Sequence, residues 1–417
     1  PAFWMVVFVA ALAGAGAHGV PRGPGLETSR GQGEPCRFRT AYDTDVWPIE
    51  VVNARLSGRP LVAPDAPGAQ RAVSCLRIQL RCGADDGTFA KLAPESLRFY
   101  LHGQSQHVHA LYELLLNHTV QVAVAEAPND PRPKVLGPHV LRPVGFAHDE
   151  GLVPSPARSF VGYRLLSEYF AFPEKFLFLE LTELSRRVFA DAGRSVEVYL
   201  YLDQSSSDLE QNVTADTLRM GCTPVSNLFR QRADPIQLTH HTHEYHVIPD
   251  ARRAGALEVY SIDQVTGVAP DGSGVGFHPF HSTQHASRDA DRRYWHGMRR
   301  RSQRTDGRVD RGTEVFLSVV DAAFEPAAPA DRTLVVETTC LNRDLPSRLP
   351  FGGGEPRLSM PDGQGPITRL ECLTPPTPTL RPEHGNRARW KLVSHLSLGH
   401  LSLAGPEALQ EILRLYD

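Results

Sequence analysis

The sequence predicts an α+β, β-rich, multi-domain protein in which antiparallel sheets dominate, helices are short and long proline-rich loops run extended. Three observations carry this. Apolar and polar residues alternate at period two in most patterned segments. The chain holds 34 Gly and 34 Pro in 417 residues, too much punctuation for long helices. Few windows show the 3.6-residue period of an amphipathic helix. The length exceeds one small core, so two or three domains are expected.

The opening run, PAFWMVVFVAALAGAGAH (1–18), is apolar and ends in small residues like a signal-peptidase site. Sequons at Asn117-His118-Thr119 and Asn212-Val213-Thr214 add to a secreted-glycoprotein alternative. But no basic residue precedes the run, and it falls short of the roughly 20 residues a spanning helix needs. A buried strand of a chain cut inside a domain is the preferred reading.

VWPIEVVNARL (46–56) reads as a strand, and SGRPLVAPDAPGAQ (57–70) as a loop. AVSCLRIQLRC (72–82) alternates strictly, with Leu76, Ile78 and Leu80 facing a core and Arg77, Gln79 and Arg81 opposite. SLRFYLHG (96–103) is a further strand. Val108–Leu116 is helical, with Leu111, Leu114 and Leu115 on one face and Asn117 ending it. VQVAVAE (120–126) returns to period two. In the segment 159–181, Tyr163, Leu166, Tyr169 and Phe170 fall at helical spacing and predict an aromatic core stripe. Pro173 stops that helix, and Phe176, Phe178 and Leu179 fit a buried strand. Strands follow at 195–204, 257–268, 313–324 and 332–340, with a polar stretch at 270–312. The end, 403–417, reads as an amphipathic helix, because Leu409, Ile412, Leu413 and Tyr416 follow i, i+3, i+4, i+7.

Charge and cysteine usage narrow the function classes. A net charge of -3 leaves no basic footprint for nucleic acid. The six cysteines are scattered without a CxxC pair, which suits neither a zinc ribbon nor a dense disulfide framework; reduced thiols fit best, and the even count leaves disulfides open. The stretch LTHHTHEYHVIPD (238–250) looks like chemistry. On a strand, His241 and His243 face one side and supply two ligands. A catalytic zinc needs about three, so a third would come from His278, His281, His285 or His296. This motivates a histidine-dependent metalloenzyme as the other alternative. A polar strand face is the preferred reading. No nucleophile elbow or P-loop is present, and GSGVGF (272–277) lacks the strand–turn–helix setting of a dinucleotide site. RRYWHGMRRRSQR (292–304) reads as a protein interface. LNRDLPSRLPFGG (341–353) and LTPPTPTLRP (373–382) read as stiff arms that lie across another surface.

Long phrases resemble one family: GYRLLSEYFAFPEKF (162–176), CTPVSNLF (222–229), EYHVIPDARR (244–253), NRDLPSRLPFGG (342–353) and LTPPTPTLRP (373–382), in family order. The chain is similar to TssF (ImpG, VasA), a baseplate subunit of the bacterial type VI secretion system. The resemblance implies a wedge protein like those of contractile phage tails. It implies a cytoplasmic structural role, docked at the inner membrane through other subunits. The partners it implies are TssG, TssK, TssE, the VgrG spike and a second TssF copy, with no enzymatic activity and no cofactor. The family pattern implies truncation at both ends. The expected division is a β-rich remnant at 1–58, a β-rich domain with short helices at 59–222, a second β-rich domain with extended arms at 223–402, and the start of a helix at 403–417. Candidate partner-contact residues are Arg343, Arg348 and Phe351 on an arm, and Leu409, Ile412, Leu413 and Tyr416 on the closing helix.

Overall fold

The computed structural model describes residues 1–10, 16–29, 34–83, 87–155, 159–239, 241–281, 293–302, 312–321, 332–361, 363, 365–382, 385–398, 410 and 413–414. Strands dominate and pair antiparallel. The one exception among the described residues sets His278 and Pro279 parallel to Tyr294 and Trp295. The predicted β-rich class with short helices holds.

Phe3–Ala10 runs inside a six-stranded sheet, between Cys222–Ser226 and Ile367–Cys372. Phe3, Met5 and Val7 join the largest core, while Trp4, Val6 and Phe8 join a second one with Leu26, Phe38 and Val225. With both faces covered, the run has no reason to alternate. The expected buried strand is therefore an interior one.

A five-stranded sheet orders Lys134–Leu136, Thr119–Ala125, Ser195–Leu202, Ser74–Cys82 and Ile49–Gly58. Leu76, Ile78 and Leu80 are buried as their alternation predicts, and Arg81 is exposed opposite. The strand expected at 46–56 is split into Thr44–Val46 and Ile49–Gly58, with Pro48, which has no N–H to pair, in the break. The loop after it covers the second face of the sheet: Tyr201 Oη donates to the Pro64 carbonyl at 2.7 Å. A four-stranded sheet packs on the same large core through Leu97, Phe99, Phe178 and Leu181. The helix Ser105–His118 adds Val108, Leu111, Leu114 and Leu115; it starts earlier than expected and ends one residue past Asn117.

The second half builds an eight-stranded sheet around Val259, Val265, Leu317, Leu334 and Val336. Its strands Glu258–Val268, Thr313–Asp321 and Thr333–Leu341 match expectation. The polar 270–312 stretch also contributes strands, Gly274–Pro279 and Arg293–Arg301. A helix not foreseen, Asn386–Leu398, follows the arm; none of its described side chains is buried. Of the closing segment, Leu413 is helical and exposed, while Leu409, Ile412 and Tyr416 lie outside the described residues.

Candidate interaction surfaces

GYRLLSEYFAFPEKF forms the helix Val161–Ala171 and the turn Pro173–Phe176. Its polar and aromatic faces are placed opposite to expectation. Arg164 and Glu168, one turn apart, point inward and are 6% and 3% exposed. Tyr169 and Phe170 point outward, at 51% and 38%. The cause is the 144–152 loop, which passes under the helix with backbone groups that need partners. The Arg164 guanidinium donates to the carbonyls of Phe146 (3.1 Å), Ala147 (2.9 Å) and His148 (3.2 Å). Glu168 Oε1 accepts from the Leu152 N–H at 2.7 Å. Lys175, fully buried, ion-pairs with Glu168 and donates to the Glu150 carbonyl at 2.9 Å. Burial pulls its ammonium below the usual range, while Glu168 acts to hold it up. Tyr42 Oη closes the cluster on the Lys175 carbonyl at 2.8 Å. Gly145, at φ +105°, lets the loop enter; a Cβ there would sit 3.2 Å from that carbonyl.

The outward consequence is a cluster of solvent-facing rings. Phe146, Tyr169 and Phe170 are 38–51% exposed, with Tyr169 and Phe170 5.5 Å apart between ring centroids. Phe176 stands 5.1 Å from Phe146 and 6.3 Å from Tyr169 between ring centroids. Contiguous exposed aromatics of this kind are the usual raw material of protein interfaces.

The predicted arms behave differently from each other. On the first, Arg343 is buried at positive φ, and its Nε donates to the Leu257 carbonyl at 2.9 Å, whereas Arg348 and Phe351 are exposed. The second, 373–382, lies along its own chain. Ile367–Cys372 pairs with Val6–Ala10 only, leaving the edge of residues 1–5 open. The arm continues along that edge: Leu373, Thr377 and Leu380 donate to the carbonyls of Met5 (2.8 Å), Phe3 (2.9 Å) and Pro1 (3.2 Å). Prolines 375, 376 and 378 cannot donate, and Thr374 and Thr377 hydroxyls accept from Met5 and Phe3 N–H, both at 2.9 Å.

The histidine stretch does not converge. His241 and His243 are exposed and precede the strand Tyr245–Val247, so strand alternation does not apply to them. His240 and His285 lie outside the described residues. His246 stacks on Phe316 at 5.0 Å, and Glu244 pairs with Arg300 of the basic strand at 2.7 Å. His281 meets His296 edge-on at 5.1 Å. Among the described residues, no group of three or more His, Cys, Asp or Glu is placed to hold a metal. All six cysteines are free, and burial pushes the thiols of Cys36, Cys75, Cys340 and Cys372 up to about 12.

The family model described as "Type VI secretion system, TssF" matches residues 4–417. The chain belongs to the TssF family. A relative, type VI secretion system component TssF1 of Pseudomonas aeruginosa, is 35% identical over 415 residues, covering 95% of this chain and 66% of the relative. In structure, the chain is similar to one from a type VI secretion system TssK-TssF-TssG baseplate subcomplex solved by cryo-electron microscopy. The TM-score is 0.76 at 26% identity, over 100% of this chain and 74% of that one. Against this TssF frame, sequence reasoning missed the buried charges of the 162–176 phrase. Their one signal was the spacing of Arg164 and Glu168, four apart within an aromatic helix.

Proposed function

We propose that this chain is a non-catalytic structural part of a type VI secretion baseplate wedge. In this reading it assembles with TssG and TssK, adjoins TssE, the VgrG spike and a second copy of itself, and primes sheath polymerisation for contractile injection. It works in the cytoplasm, with the baseplate docked at the inner membrane through other subunits. No described helix is long and apolar enough to cross a membrane. The observation that carries the reading is the likeness, at a TM-score of 0.76, to a chain of a subcomplex named for TssK, TssF and TssG. The division expected at 58, 222 and 402 is not part of the proposal, because Phe3–Ala10 shares a sheet with Cys222–Ser226 and Ile367–Cys372, and Ile49–Gly58 shares one with Ser74–Cys82.

For the contact surface, the exposed Arg348, Phe351 and Leu413 remain candidates, with Leu409, Ile412 and Tyr416 beside Leu413 in sequence. The rings of Phe146, Tyr169 and Phe170 add a second candidate face. Arg343 acts from inside the fold, where it holds its arm in place. Affinity capture of the gene's whole product, co-expressed with TssG and TssK, tests the reading. Both partners should come down with it at high salt; a stable, folded protein that captures neither contradicts the proposal.

A further inference from the structure

We propose that Arg381 is a latch that fixes the strap 373–382 and thereby sets where, and in which direction, the helix Asn386–Leu398 leaves the body. This goes beyond the baseplate reading and stands without it. The strap starts on the six-stranded sheet, at Leu373, and its last backbone bond to that sheet is made by Leu380. The next residue crosses to the other half of the molecule. Arg381 Nε and Nη2 fork onto Glu258 at 3.0 and 2.7 Å, and Nη1 takes Asp344 at 2.7 Å. Its side chain is only 14% exposed. A planar guanidinium that meets two carboxylates at once is held in direction as well as position, which a lysine cannot reproduce.

The receiving side is itself fixed. Glu258 begins the strand Glu258–Val268, is 3% exposed, and accepts from the Thr313 N–H at 3.0 Å and from the Thr313 hydroxyl. Arg299 stands behind it, donating to the carbonyls of Val259 and Tyr260, both at 2.7 Å. The Thr379 hydroxyl donates to the Arg343 carbonyl, and Asp344 follows Arg343, so the first arm meets the strap at the latch. The buried Arg343 thereby holds the arm that offers Asp344.

Beyond the latch, the helix Asn386–Leu398 has no buried side chain among those described, and Trp390 is 71% exposed. Five residue steps separate Arg381 from Asn386, a reach of roughly 18 Å. Released back to Thr377, the tether would have nine steps and a reach of roughly 32 Å, about six times the volume. Together with the Leu380 and Thr379 bonds, which it braces, the latch keeps the helix start within the smaller region.

Hydrogen exchange on the whole chain, with spin labels carried by unnatural residues at positions 390 and 135, tests this. In Arg381→Ala, the Thr377 and Leu380 amides should exchange at least about tenfold faster, and the 390–135 distance distribution should broaden about twofold. Exchange in Ser195–Leu202 and Thr333–Leu341 should not change. Asp344→Asn keeps the Glu258 fork and should give a smaller acceleration, largest at Leu380; it also serves if Arg381→Ala does not fold. Strap exchange and distance width equal to the parent in the variants overturn the proposal. So does acceleration spread through Thr333–Leu341, which would make Arg381 a general core residue.

Discussion

Asn227 and Asn342 exchange hydrogen bonds across the middle of the molecule. The Asn342 N–H donates to Asn227 Oδ1 at 2.8 Å, and Asn227 Nδ2 donates to Asn342 Oδ1 at 2.9 Å. They are 0% and 2% exposed. Asn227 Nδ2 also reaches the Arg37 carbonyl at 2.6 Å, and the Arg37 N–H donates back to Asn342 Oδ1 at 2.8 Å. The pair thus ties Arg37–Thr40 of the six-stranded sheet to the end of Thr333–Leu341 of the eight-stranded one.

Breaking that tie should be costly because it strands buried backbone groups. Asn227→Ala leaves the Asn342 N–H and the Arg37 carbonyl without these partners, and should destabilise by about 2–4 kcal/mol. Urea unfolding checks this, and a change below about 0.5 kcal/mol would refute it.

The Glu168–Lys175 pair should show the asymmetry of buried charges. Lys175→Met alone leaves Glu168 buried and unpaired and should cost about 3–5 kcal/mol. The double variant Glu168→Gln with Lys175→Met should recover part of that loss. Thermal denaturation of the parent, both singles and the double measures the coupling. Additive losses would show that the two groups act separately.

Stability should fall in alkali. Burial pushes Cys36, Cys75 and Cys340 up to about 12, Cys82 up to about 11 and Tyr112 up to about 12. In the unfolded chain these groups ionise near their usual values. Their contribution is therefore complete below about pH 9 and is lost as pH rises through the folded-state values. The urea midpoint should stay level to about pH 9 and then drop. A midpoint unchanged to about pH 11 would falsify the burial assigned to these groups.

The outward rings should behave as surface for folding and as core for assembly. Tyr169→Ala with Phe170→Ser should change stability by no more than about 0.5 kcal/mol per site. The same variant should lose capture of TssG and TssK if this face carries the contact. Undiminished capture would move the contact to Arg348, Phe351 and Leu413.

What the sequence discloses follows from how local each cause is. Ser74–Cys82 is legible because its alternation records a single buried face. Phe3–Ala10 is legible because an uninterrupted apolar run needs cover on both sides. The orientation of Val161–Ala171 is not, because it depends on unsatisfied carbonyls in a loop that approaches from residues 146–148. The composition of the 373–382 arm tells that it is stiff, but its partner is an edge at the far end of the chain. The spacing of His241 and His243 suits a strand, yet the strand begins only at Tyr245. The family phrases carry the proposed function, and no spacing of chemical groups does.

The proposed subunit works by being held in a wedge. The most direct measurement is the mass of the complex formed by the gene's whole product with TssG, by light scattering on the eluting peak. A single species that contains TssG and more than one copy of this protein, stable on dilution, is expected. A folded protein that elutes alone beside free TssG at every ratio would contradict it.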